Sequence, residues 1–117
     1  DEAKKNFDKN ELEVSKFLFQ KNIVFNPKDA KSYLYLAKIF NSEENEKEEE
    51  KNLDTTLLLD PENEEAMYML INLKLKKSNY SKVQDLKKKF VIICKKLCDK
   101  TKEINSTLKN IQPKNDT

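Results

Sequence analysis

The sequence predicts an all-α fold of stacked helical hairpins, and three observations carry the prediction. The chain of 117 residues has no Gly and only Pro27, Pro61 and Pro113, so it lacks the residues that β-hairpins, βα turns and phosphate-cradling loops require. Asn26-Pro27-Lys28-Asp29-Ala30 is matched 34 residues later by Asp60-Pro61-Glu62-Asn63-Glu64, a period characteristic of repeated helix pairs. After each of these prolines the apolar residues step by three and four. They are Tyr33, Leu36, Ala37 and Phe40 in one copy, and Met67, Leu70, Ile71 and then Leu73 or Leu75 in the other, which is the spacing of one buried helix face.

Taken in order, residues 1–10 read as an N-terminal extension. Leu12, Val14, Phe17, Leu18, Phe19 and Ile23 then make residues 11–26 the second helix of a partial repeat, its first helix absent or upstream. Pro27 and Pro61 push the residue before them out of the α region, ending one helix and placing the start of the next. Residues 27–60 form a full repeat and 61–94 a second, degenerate one. No breaker follows until Pro113, and Val83, Leu86, Phe90, Ile93, Leu97, Ile104, Leu108 and Ile111 continue a seven-residue seam, so the last helix is expected to run unbroken from 80 to 110 as a cap, with 95–111 its extension. Helices are thus expected near 11–25, 29–41, 47–59, 63–76 and 80–110. The expected buried residues are Tyr33, Leu36, Phe40, Leu53, Leu57, Met67, Leu70, Phe90 and Ile93. Residues 112–117 are polar and expected to be a disordered tail.

This pattern resembles the tetratricopeptide repeat (TPR). Tyr33, Leu36, Ala37, Phe40, Leu53, Thr56 and Pro61 fill its positions without insertion, and Met67, Leu70, Val83 and Phe90 repeat part of it. Glu49, Ile71 and Lys74 stand where the family has two small residues and an aromatic. The resemblance implies a helical hairpin solenoid that binds extended or helical peptides in a concave groove lined by first helices. Transferred by repeat position, the partner-binding residues are Lys31, Leu34, Tyr35 and Lys38 in one helix, and Glu65, Tyr68, Met69, Asn72 and Lys76 in the next. One branch of the family grips a chaperone's C-terminal carboxylate with Lys, Asn and Arg. Tyr35, Glu65 and Met69 occupy such positions here, so that clamp is not expected.

The function so implied is a non-catalytic protein-interaction module or scaffold, part of a larger protein or assembly. Chemistry agrees: without His there is no imidazole base or ligand, and two Cys cannot form a four-thiolate zinc site. No enzyme activity, metal or cofactor is expected. The acidic run Glu43-Glu44 and Glu48-Glu49-Glu50 reads as a solvated turn. Cys94 and Cys98 read as buried, reduced and inert on the seam of the capping helix, favouring a reducing, cytoplasmic setting. No run of 18 apolar residues is present, so no membrane span is expected.

The alternative reading is electrostatic. Residues 1–60 hold 10 Lys against 14 acids, and 61–117 hold 13 Lys against 7. Lys88, Lys95, Lys102 and Lys109 recur every seven residues, which on one helix would align as a stripe able to meet nucleic acid or an anionic surface. The absence of Arg, and of aromatics in the helix after Phe90, makes nucleic acid the weaker partner.

Overall fold

A computed structural model describes residues 1–111; the expected tail, 112–117, lies outside them. Seven helices make up the described residues: α1 (Glu2–Asp8), α2 (Leu12–Phe25), α3 (Ala30–Ser42), α4 (Glu46–Leu59), α5 (Glu64–Lys76), α6 (Tyr80–Ile93) and α7 (Lys100–Ile111). The chain divides into two compact units, Asp1–Pro61 and Glu62–Thr117.

The 34-residue period is written into the backbone. Second helices begin at Leu12, Glu46 and Tyr80, and end at Phe25, Leu59 and Ile93. Asn26 and Asp60, each before a proline, leave the helix with ψ near 82°, as the crowding of a following proline ring demands. The turn inside each hairpin passes through one residue with positive φ, at Asn10 (61°), Glu44 (57°) and Ser78 (59°). In a chain without glycine these residues carry the steric cost of the left-handed region themselves. The Asn45 and Asn79 side chains then accept from the Glu48 and Lys82 amides and cap α4 and α6.

In the first unit α1 pairs with α2 and α3 with α4. Residues 1–10 were expected as an extension without a helix. Instead Asp1 caps α1 by accepting from the Ala3 amide at 3.0 Å, and the buried Ser15 hydroxyl donates to the Ala3 carbonyl at 2.8 Å. The partial repeat therefore has its first helix, supplied by those ten residues. Ala3, Phe19, Leu36 and Ile39 form the core, with Phe7, Leu12, Leu18, Ile23, Tyr35 and Phe40 packed against it. The acidic run is not uniformly solvated. Glu49 is only 2% exposed and accepts from Asn41 at 3.1 Å, while Glu43 pairs with Lys16 at 2.7 Å. That contact first, with the coulombic pull of Glu43 and Glu13 against desolvation, raises the Lys16 pKa.

In the second unit α5, α6 and α7 bury Met67, Leu70, Ile71, Val83, Leu86, Phe90, Ile104 and Leu108. The expected continuous helix 80–110 is present as two, α6 and α7, because residues 94–99 leave the helix. Cys94 takes extended backbone angles (φ −62°, ψ 146°). The reason is tertiary: the Glu64 carboxylate, on the first residue of α5, accepts from the Lys95, Lys96 and Leu97 amides at 2.8 to 3.1 Å. A Cys94–Cys98 disulfide closes the same connector, with Cα atoms 5.2 Å apart. The expectation of buried, reduced thiols is thus overturned, since Cys98 is exposed and Cys94 half-buried, and the ground for preferring a reducing compartment goes with it. Of the expected core, Leu36, Leu53, Met67, Leu70 and Phe90 are buried, whereas Tyr33, Phe40, Leu57 and Ile93 are half-buried. No described helix is long and apolar enough to cross a membrane.

Candidate functional site

Lys31, Leu34, Tyr35 and Lys38 stand at i, i+3, i+4 and i+7 of α3, so helix geometry alone gathers them on one face. Lys31 is exposed. Leu34 is 7% exposed, which puts it in the packing and leaves little of it for a ligand. Tyr35 is half-buried, stacked on Phe19 with centroids 5.0 Å apart and met edge-on by Phe7 at 4.9 Å. The Lys38 ammonium lies 4.8 Å from the Tyr35 centroid and 6.0 Å from that of Phe7, within cation–π range of both. Phe7 is a member of this face that sequence reasoning missed. Its only signals were its four-residue spacing from Ala3 and the Asp at the chain start.

The α5 face is built the same way from Glu65, Tyr68, Met69, Asn72 and Lys76. Glu65, Tyr68 and Met69 are half-buried, Asn72 and Lys76 exposed. Tyr68 donates its hydroxyl to Glu103 of α7 at 3.1 Å, lies 6.2 Å from the Phe90 ring, and has the Lys100 ammonium 5.7 Å from its centroid. The Lys100 ammonium also reaches Glu103, at 3.3 Å, and its own hydrogen bond there is the main cause of a raised Lys100 pKa, with the charge of Glu103 and the Tyr68 oxygen next. Glu103 and Lys100 join this face only because α7 folds back, which no local pattern announces.

Each face therefore offers an aromatic surface with an ammonium beside it, suited to a ligand that combines apolar side chains with carboxylates. Among the described residues no group of three or more His, Cys, Asp or Glu is placed to hold a metal. Glu64 is the carboxylate held below its usual pKa, chiefly by the Lys95 amide and then, against desolvation, by those of Leu97 and Lys96; it lines an open cavity of about 440 Å³ with Glu62, Asn63, Glu65, Lys96 and Leu97, where its oxygens are occupied by those three amides. The four lysines of the seven-residue stripe do not share a helix: Lys88 is on α6, Lys95 in the connector, and Lys102 and Lys109 on α7.

No family model matches the chain, and no curated protein matches it in sequence. Solved structures do match in shape. The Yersinia enterocolitica type III secretion chaperone SycD, in complex with a peptide of the translocator YopD, aligns with a TM-score of 0.82 at 13% identity over 97% of this chain and 89% of that one. The Sgt2 TPR domain from Aspergillus fumigatus gives 0.79 at 12% identity, over 99% and 78% of the two chains. The TPR2B domain of yeast Sti1, in a complex with pHsp70, gives 0.77 at 14% identity, over 96% and 91%. At such identities the likeness establishes the fold, which is a TPR-like, all-α helical repeat.

Proposed function

We propose that this chain is a non-catalytic protein-interaction module, part of a larger protein or assembly, in which each unit offers a peptide or helix the face of its own helix, α3 in one and α5 in the other. The observation that carries the reading is the paired arrangement of aromatic and ammonium groups, Tyr35 with Lys38 and Tyr68 with Lys100. Two of the similar structures, those of SycD and Sti1, are complexes with a peptide or a partner protein, which favours the same use of the fold here. Lys31, Lys38 and Lys76 favour a ligand with scattered acids. Glu65 disfavours a free C-terminal carboxylate, so the expected ligand is an internal segment with apolar anchors.

The rival, a basic surface for nucleic acid or an anionic membrane, has lost its single-helix stripe. A photo-crosslinker placed at Asn72 identifies the partner, and titration of the purified partner then decides between the two readings. Tyr68→Ala is expected to weaken binding by about 1–2 kcal/mol, because aromatic anchors carry most interface energy. Lys88→Glu with Lys95→Glu is expected to change it little. The opposite pattern, with affinity collapsing steeply as salt rises, would establish phosphate-led binding instead.

A further inference from the structure

The outward face of α2 has no role in the function proposed above, and it is unusual in two respects. It is apolar while exposed: Val14, Phe17 and Val24 are 49%, 64% and 77% accessible. Its charges are also antisymmetric about Phe17. Glu13 stands one helical turn before Phe17 and Lys21 one turn after it, and at 100° per residue all five side chains lie along one stripe. Lys21 is exposed. The Glu13 side chain is 88% exposed and reaches Lys16 only at 3.8 Å, so both charges remain available to an outside group.

From this pattern we infer that the α2 stripe is a self-association surface whose occupant is the α2 stripe of a second copy, packed antiparallel about a two-fold axis through Phe17. A two-fold axis placed there sets each residue before Phe17 opposite the residue equally far after it. Glu13 of each copy then meets Lys21 of the other, about 6 Å along the helix from the axis, and the two Phe17 rings meet at the centre. Parallel packing would set Glu13 against Glu13 and Lys21 against Lys21, so the charges select the antiparallel arrangement. Such a contact is isologous and closes at two copies, with no open chain of subunits. One helix of 14 residues is only about 21 Å long, so the dimer is reversible and weaker than those with standard interfaces of about 800 Å² per partner.

The test is sedimentation equilibrium of the full chain between about 10 μM and about 1 mM, a range that spans weak dimerisation. The weight-average mass is expected to climb from 13.8 kDa toward twice that value. Glu13→Lys and Lys21→Glu should each raise the dissociation constant about tenfold or more by opposing like charges. The double variant Glu13→Lys/Lys21→Glu, which restores opposite signs across the axis, should return it to within about threefold of the native value. Far-UV circular dichroism of each variant, expected to be native because all substituted positions are exposed, separates lost contact from lost fold. A chain that stays monomeric to the top of the range overturns the inference. So does a double variant no better than the single ones, because only charge pairing across a two-fold axis predicts the rescue.

Discussion

Phe17 and Phe19 are two residues apart in a run of three large apolar side chains, and the structure assigns them opposite fates. Phe19 is 0% exposed, stacked on Tyr35 in the core with Ala3, Leu36 and Ile39, whereas Phe17 is 64% exposed. Phe19→Ala removes a fully enclosed ring and leaves a cavity that neighbouring helices fill only in part, a loss of about 3–5 kcal/mol. Part of it is the aromatic pair itself, about 0.5–1.5 kcal/mol. Against a total of about 5–15 kcal/mol for a domain of this size this is a large fraction. In urea, with a slope near ~1.5 kcal/mol per M, a loss of ~4 kcal/mol lowers the midpoint by about 2–3 M. Phe17→Ala, measured in the same way at a concentration low enough to keep the chain monomeric, should move stability by no more than about 0.5 kcal/mol. Equal losses at the two positions, or a larger loss at Phe17, would show that α2 is rotated from its assigned register.

Three further outcomes follow from the backbone and its caps. Glu64 has a folded pKa below its ordinary value of 4.5, so its stabilising contribution is complete above that value and is lost as pH falls through the lowered one. Slow amide exchange at Lys95, Lys96 and Leu97 should therefore persist to about pH 4.5 and fade only in stronger acid, and Glu64→Gln should abolish this acid dependence, as NMR-detected exchange would reveal. Thiol titration of the unfolded, unreduced chain should find no free thiol, since Cys94 and Cys98 are paired. Replacing both with Ser should cost about 2 kcal/mol at most, given the short loop closed, and two titratable thiols would refute the pairing. Glu44→Gly and Ser78→Gly should each raise the denaturation midpoint by an amount equivalent to about 1 kcal/mol, because only glycine adopts positive φ without the clash at Cβ; a lowered midpoint would contradict the turn geometry.

The parts of the fold legible in the sequence are those with local causes. Pro27 and Pro61 end α2 and α4 by crowding the residue before them, and the three-and-four spacing of Leu36, Phe40, Met67 and Leu70 fixes which faces turn inward. The starts and ends of α2 to α5 consequently fall within one residue of expectation. What escaped has distant causes. The break after Ile93 depends on a carboxylate more than thirty residues away, at Glu64, while the local stretch Cys94-Lys95-Lys96-Leu97 has no residue that forbids a helix. Seven-residue α1 is too short for periodicity to register. The burial of Glu49 rests on Asn41 in the preceding helix, so a run of acids looked solvated. The candidate site divides along the same line: Tyr35 and Tyr68 were placed by repeat position, but their neighbours Phe7, Lys100 and Glu103 come from elements whose approach is a tertiary event.

The Glu64 clasp also sets how the chain can open. Its carboxylate grips three consecutive amides leading into α7, and so fixes the connector from which α7 sets off. The expected opening releases those amides and exposes the buried Ile104 and Leu108 together. Local fraying at the end of α6 is thereby tied to the first turn of α5, and the two should report the same opening free energy in native-state exchange, as segments of one cooperative unit do. The connector to the last helix is thus held twice, from the start of α5 by the Glu64 carboxylate and within itself by the Cys94–Cys98 disulfide.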